Sequence, residues 1–180
     1  MAPDRWTLYP GRSRLPDAAS PDVRGRSYRI VAEVLLSGRE DGGVLVAHGD
    51  RHAGYALRVE AGHVVHDYVH AGVASRHTST RVAPLGKWIL LELQVTRVGA
   101  AGTVRLLVDG CHAGAGSLPL LSRARIGYTG MDIGCDRGVT VGGYPAPARF
   151  NGRLRRVTVT AEHDQWLDPV RSWLIEGATG

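Results

Sequence analysis

Apolar and polar side chains alternate along much of this chain with a period of two. Tyr28, Ile30, Ala32, Val34 and Leu36 are interleaved with Arg29, Val31, Glu33 and Leu35. Ile89, Leu91, Leu93 and Val95 are interleaved with Leu90, Glu92, Gln94 and Thr96. Tyr55, Leu57 and Val59 repeat the pattern against Ala56, Arg58 and Glu60, as do Val104, Leu106 and Val108 against Thr103, Arg105 and Leu107. Successive side chains of a strand point to opposite faces, so each run predicts a strand with one buried face. Turn signals separate the runs at short, even distances. Asp41-Gly42-Gly43 leads into a strand at about Val44–Ala47, Ala61-Gly62 joins Tyr55–Glu60 to His63–Val69, and Asp109-Gly110 turns Thr103–Val108 into Cys111–Ser117. Such dipeptides supply the positive φ angles that tight hairpins need. Many short strands at this spacing predict an all-β, antiparallel sandwich or barrel. The length of 180 residues fits one domain, placed at residues 1–160.

Residues 161–180 read differently, as a tail. Asp168-Pro169 has the form of a helix start, with Asp as cap and Pro in the first turn, and Trp166, Val170, Trp173 and Leu174 fall at helical spacing. A short amphipathic helix packed on the sandwich is one reading; an aromatic anchor for a partner is the other.

Composition narrows the classes. The 24 glycines and 9 prolines favour turns over long helices. The formal net charge is +5, and Lys87 is the single lysine. Arginines are spread singly from Arg5 to Arg171, with the densest group at Arg153, Arg155 and Arg156. Nucleic-acid binding calls for a localised basic patch, so no nucleic-acid partner is expected. Cys111 and Cys135 have neither zinc-ligand nor redox-pair spacing and are expected as unpaired thiols, with a disulfide between them as the alternative. No apolar run approaches the roughly 18 residues of a membrane helix, and Met1–Pro10 lacks the apolar stretch of a signal peptide. The expectation is therefore no membrane partner and a cytoplasmic location, with export only alongside a partner.

An ordered set of motifs adds a resemblance. Tyr9-Pro10-Gly11, Leu15-Pro16, Pro21-Asp22-Val23 and Arg26-Ser27-Tyr28 come first. Gly43-Val44-Leu45-Val46-Ala47, Gly49, Arg51 and Gly54-Tyr55-Ala56-Leu57 follow. Leu107-Val108-Asp109-Gly110, Met131-Asp132-Ile133-Gly134 with Asp136 and Gly138, and Phe150-Asn151-Gly152-Arg153-Leu154 complete it. Over roughly residues 5–160 the chain resembles the C-terminal accessory domain of bacterial arylsulfatases. The resemblance implies a two-sheet antiparallel jelly-roll sandwich of the concanavalin A-like, laminin-G-like, lectin/glucanase type, appended to a separate catalytic domain. The family's catalytic Cys/Ser-x-Pro-x-Arg motif is absent: neither cysteine has Pro two residues later, and Ser117-Leu118-Pro119-Leu120-Leu121 ends in Leu where Arg is needed. The implied role is a non-catalytic partner of a sulfatase catalytic subunit. The alternative is a free-standing lectin-like carbohydrate-binding module.

Candidate chemistry is sparse. Sandwich glycosidases need two carboxyl groups about 5–5.5 Å apart. None of the six glutamates forms the Glu-x-Asp-x-x-Glu array that supplies them. Asp132 and Asp136 flank Gly134 near a strand end, where carboxylates and carbonyls suit a calcium ion, or else cap turn amides. No other cofactor is expected. For a glycan, aromatic rings with polar neighbours on a sheet face or rim loop are the natural contacts. His66, Tyr68, His70 and Trp88 are the candidates, with Arg51 and Arg76 suited to sulfate through paired N–H donors.

Overall fold

A computed structural model describes residues 2–11, 14–123, 129–145 and 148–167. The helix expected at Asp168-Pro169, with Val170, Trp173 and Leu174, lies outside the described residues. Thirteen strands run in chain order: β1 (Asp4–Leu8), β2 (Tyr28–Leu35), β3 (Gly43–Gly49), β4 (Gly54–Glu60), β5 (His63–His70), β6 (Val73–Val82), β7 (Trp88–Val98), β8 (Ala101–Val108), β9 (Cys111–Leu118), β10 (Met131–Ile133), β11 (Cys135–Asp136), β12 (Ala148–Arg149) and β13 (Arg153–Ala161). A single 3-10 turn, Asp17–Ala19, precedes β2.

The strands form a six-stranded sheet, β1-β13-β2-β7-β8-β9, and a five-stranded sheet, β10-β3-β4-β5-β6, with β11 and β12 as a small separate pair. Every pairing is antiparallel. The two large sheets pack face to face as a jelly-roll sandwich, the all-β fold that the period of two predicts. The inward residues are those of the alternating runs. Ile30, Ala32 and Val34 of β2 and Leu91 and Leu93 of β7 meet Val46, Tyr55 and Leu57 of the other sheet in one buried cluster. Burying each such side chain is worth about 1.5–3 kcal/mol. The phase of the alternation also settles what faces outward: Leu90, one step out of phase, is exposed.

The hairpin turns carry the backbone signature expected of them. Ala61 and Gly62 have φ of 49° and 79°, and Asp109 and Gly110 have 49° and 74°. Ala71-Gly72 makes a third such turn between β5 and β6, at 49° and 78°. Both cysteines are free thiols, Cys111 exposed and Cys135 buried. Among the described residues no helix is long and apolar enough to cross a membrane.

The interior is not wholly apolar. His66 of β5 lies in register with Leu57 and points between the sheets, fully buried. Its ring stacks on His77 of β6 at a centroid distance of 5.4 Å, with Nδ1 3.3 Å from His77 Nδ1. His77 Nε2 donates to the Ser117 carbonyl of β9 at 3.1 Å, tying one sheet to the other along this edge. Burial, with His77 adding, pushes the His66 pKa from 6.5 down to about 3. The unfolded chain therefore takes up this proton near pH 6.5 while the folded chain refuses it until about pH 3. This contribution to stability is complete above pH 6.5 and is lost as the pH falls. Between pH 6.5 and 5 the loss attributable to His66 is about 2 kcal/mol. Urea unfolding of wild type and His66→Leu at both pH values checks this: the variant's pH dependence is shallower by about that amount.

Candidate ligand-binding site

One end of the sandwich gathers the loops that carry unspent polar groups. There β3, β5, β9 and β13 finish and β2 begins. The segment from Asp17 to Arg24 crosses this end, and with His48 it lines an open pocket of about 210 Å³. Pro16 and Pro21 flank the first part of the segment and hold the 3-10 turn between them. Gly25 N donates to the Ser122 carbonyl at 2.9 Å, which fastens the segment to the loop after β9. Tyr68 in turn holds that loop, its hydroxyl accepting the Ser122 amide at 2.6 Å.

The pocket's polar groups are fixed by one another. His48 is only 4% exposed, and its Nε2 donates to Asp17 Oδ1 at 2.9 Å. Burial lowers the His48 pKa and Asp17 pulls it the other way. Arg24 grips Asp22 with Nε on Oδ1 and Nη2 on Oδ2, both at 2.8 Å. Burial alone would raise the Asp22 pKa, but the bonds from Arg24 bring it down to about 2, so this carboxylate is charged at any physiological pH. Ser20 adds a hydroxyl to the wall.

The tail completes the rim. Gln165 Nε2 donates to the Arg24 carbonyl at 2.9 Å and to Asp22 Oδ2 at 3.3 Å. Trp166 N donates to the Gly25 carbonyl at 2.8 Å. Trp166 is 45% exposed, and the Arg123 guanidinium covers one face of its ring, 3.8 Å from the centroid. An exposed indole beside carboxylate, hydroxyl and guanidinium groups suits a ligand with both an apolar ring face and many hydroxyls. It does not suit hydrolysis by a triad. In a triad, the carboxylate holds Nδ1 and the nucleophile meets Nε2. Here Asp17 occupies His48 Nε2, and Nδ1 is buried with no hydrogen-bond partner among the described residues.

The residues expected from the sequence are scattered by the fold. Arg51 and His70 stand at the same end of the five-stranded sheet as the pocket, Arg51 exposed in the β3–β4 turn and His70 half-buried at the end of β5. His66 and Tyr68 lie inside the sandwich, because they share the phase of Val64 on β5. They cannot touch a surface ligand. Arg76 is on the outer face of the five-stranded sheet, its Nε donating to Asp67 Oδ1 at 2.6 Å. Asp67 also accepts from buried Arg58 at 2.7 Å. Trp88 is on the outer face of the other sheet, with Arg153 and Arg155 5.4 and 4.1 Å over its ring. These six side chains therefore form no common surface. Sequence reasoning missed Asp17, Ser20, Asp22, Arg24, His48 and Gln165. For Asp17 and Ser20 the available signal was a short segment pinned between two prolines, Pro16 and Pro21; contacts between distant loops gave none for the others.

The calcium expectation meets a different chemistry. Asp132, 2% exposed, accepts from Arg14 Nε and Nη2 at 3.1 and 2.7 Å, and from Arg137 N and Nη1 at 2.8 and 2.9 Å. Asp136 Oδ2 accepts the Tyr144 hydroxyl at 2.7 Å. Calcium takes six to eight oxygens. Asp132 instead holds two guanidinium groups, and among the described residues no group of three or more His, Cys, Asp or Glu side chains is placed to hold a metal. These residues do not fit the ion.

No family model matches the chain, and no curated protein is similar to it in sequence. Solved structures share its fold. It superposes on a putative carbohydrate binding protein from Bacteroides ovatus with a TM-score of 0.57 at 13% identity, covering 88% of this chain and 44% of that one. It superposes on domains LG4-5 of the mouse laminin alpha1 chain with a TM-score of 0.56 at 15% identity, covering 89% and 42%. It also superposes on the CBM40 of Ruminococcus gnavus IT-sialidase, bound to alpha2,3 sialyllactose, with a TM-score of 0.55 at 13% identity, covering 81% and 80%. The chain thus spans less than half the length of the first two. Identities this low define the fold alone: a concanavalin A-like, laminin-G-like β-sandwich. The comparisons give the arylsulfatase resemblance no support.

Because Asp132 is committed to arginine, millimolar calcium or a chelator leaves the melting temperature unchanged. Asp132→Ala removes the acceptor that Arg14 and Arg137 share and destabilises by about 2–3 kcal/mol, read by urea unfolding.

Proposed function

We propose that the chain is a non-catalytic, lectin-like module that binds carbohydrate at the polar end of its sandwich. The observation that carries this reading is that Gln165 bonds both Asp22 and Arg24 at the pocket while the next residue, Trp166, is 45% exposed. A sugar offers an apolar C–H face to the indole, while its hydroxyls donate to carboxylates and accept from guanidinium or amide groups. Charged Asp22, fixed by two bonds from Arg24, is a preorganised acceptor and loses little freedom on binding. The fold adds support, since structures sharing it include one described as a putative carbohydrate binding protein and one bound to sialyllactose. No observation favours a role beside a sulfatase subunit.

The test is a glycan array followed by titration calorimetry with the best neutral oligosaccharide. Trp166→Ala and Asp22→Asn each weaken binding about tenfold or more, a difference near 1.4 kcal/mol, while Trp88→Ala on the outer face has no effect. Absence of binding at millimolar ligand across the array would sink the reading.

A further inference from the structure

The opposite end of the sandwich holds a second cleft, of about 260 Å³, built where β1 ends and β13 begins. Its walls are Pro10, Ile133, Phe150 and Leu154, and its charged members are Arg137 and Arg149. No carboxylate lines it. The two arginines arrive from the paired strands and turns around β11 and β12. Arg149 lies in register with Cys135, and Arg137 follows two residues later. Burial first, and Asp132 second, raise the Cys135 thiol pKa, and Arg137 and Arg149 both oppose them. Arg137 is held by Asp132 through its backbone amide and Nη1. Arg29, Arg58, Arg76, Arg155 and Arg156 are each tied to a carboxylate, whereas Arg149 is exposed and has no such partner among the described residues.

The backbone here is built to a close tolerance. A Cβ on Gly43 would overlap the Arg149 carbonyl, so β3 approaches β12 more closely than any other residue would allow. Phe150 N donates to the Gly134 carbonyl at 3.0 Å, and Gly134 N to the Leu45 carbonyl at 2.8 Å. Arg149 is thereby mounted on fixed backbone beside an apolar wall. We propose that this cleft binds an organic oxyanion, a carboxylate or sulfate ester carried on a compact ring, with Arg149 as its principal charged contact. The guanidinium fork supplies two parallel donors to such a group, and the Phe150–Leu154 wall takes the ring. The site lies at the other end of the sandwich from the pocket of the proposed function and stands independently of it.

The experiment titrates the intact chain with 3′-sulfated lactose, sialyllactose and plain lactose, following backbone amides by NMR. The expected result is that one or both acidic sugars shift the amides of Gly134, Arg149 and Gly152, and that lactose leaves them unmoved. The sulfated and carboxylated arms show which oxyanion is preferred. Arg149→Gln weakens the acidic ligand at least tenfold, and Arg149→Lys retains part of the affinity. Arg149 is exposed, so both of its variants keep the fold, verified by their melting curves. If the acidic sugars fail to move these amides at millimolar concentration, or Arg149→Gln binds within twofold of wild type, the inference falls. Lactose binding that depends on Trp166 would survive that failure, so the two sites are judged separately.

Discussion

Interdigitation of two apolar sheet faces is the constraint on which everything else in this protein rests. A strand has one inward and one outward side, and a one-residue slip would exchange them. Tyr55 and Leu57 on one sheet meet Ile30, Ala32 and Leu91 on the other, all essentially without exposure. That register fixes the outward set in the same stroke: Arg58 and Asp67 on one face, Arg29 and Glu92 on the other. It also fixes where strands stop, and the strand ends are where the loops with spare polar groups collect.

The same constraint explains what the sequence disclosed. The alternating runs at Tyr28–Leu36, Tyr55–Val59 and Ile89–Val95, with glycine turns between them, were legible because a half-buried strand writes its burial directly into a period of two. The site was less legible, because contact between distant loops leaves no periodic trace. His48 and Asp17 meet only once β3 is paired and the 3-10 turn is folded over its end. Gln165 reaches Asp22 across the whole length of the domain. His66 and Tyr68 were misplaced for a local reason. They are polar residues in phase with apolar ones on β5, and that phase is visible in Val64-His66-Tyr68, but polarity was read ahead of phase.

Polar groups inside the sandwich have a consistent logic. Tyr28 and Tyr55 pack at 5.9 Å, with His48 edge-on to Tyr55 at 5.6 Å, all toward the pocket end. Burial raises both tyrosine pKa values and lowers that of His48, so all three stay neutral near pH 7. A neutral polar lining avoids the several kcal/mol that an isolated buried ion would demand. It lets the core grade from hydrocarbon at the centre to neutral polar side chains beneath the pocket.

Charge pairs occupy the middle of both faces. On the six-stranded sheet Arg29 clamps Glu92 with bonds of 2.6 and 2.7 Å, and Arg155 and Arg156 converge on Glu33. On the five-stranded sheet Asp67 is shared by Arg58 and Arg76, and Arg58 lies under the Tyr144 ring at 5.0 Å. A ligand approaching either face would have to break charge pairs before making its own contacts, and a buried pair is expensive to break. At the loop end, Asp22 and Arg24 are paired with each other, yet both border open space beside an exposed indole. Recognition there adds contacts without removing any. Charge pairing over parts of both faces, set by the same alternation that builds the core, thus favours recognition at the rims of the sandwich.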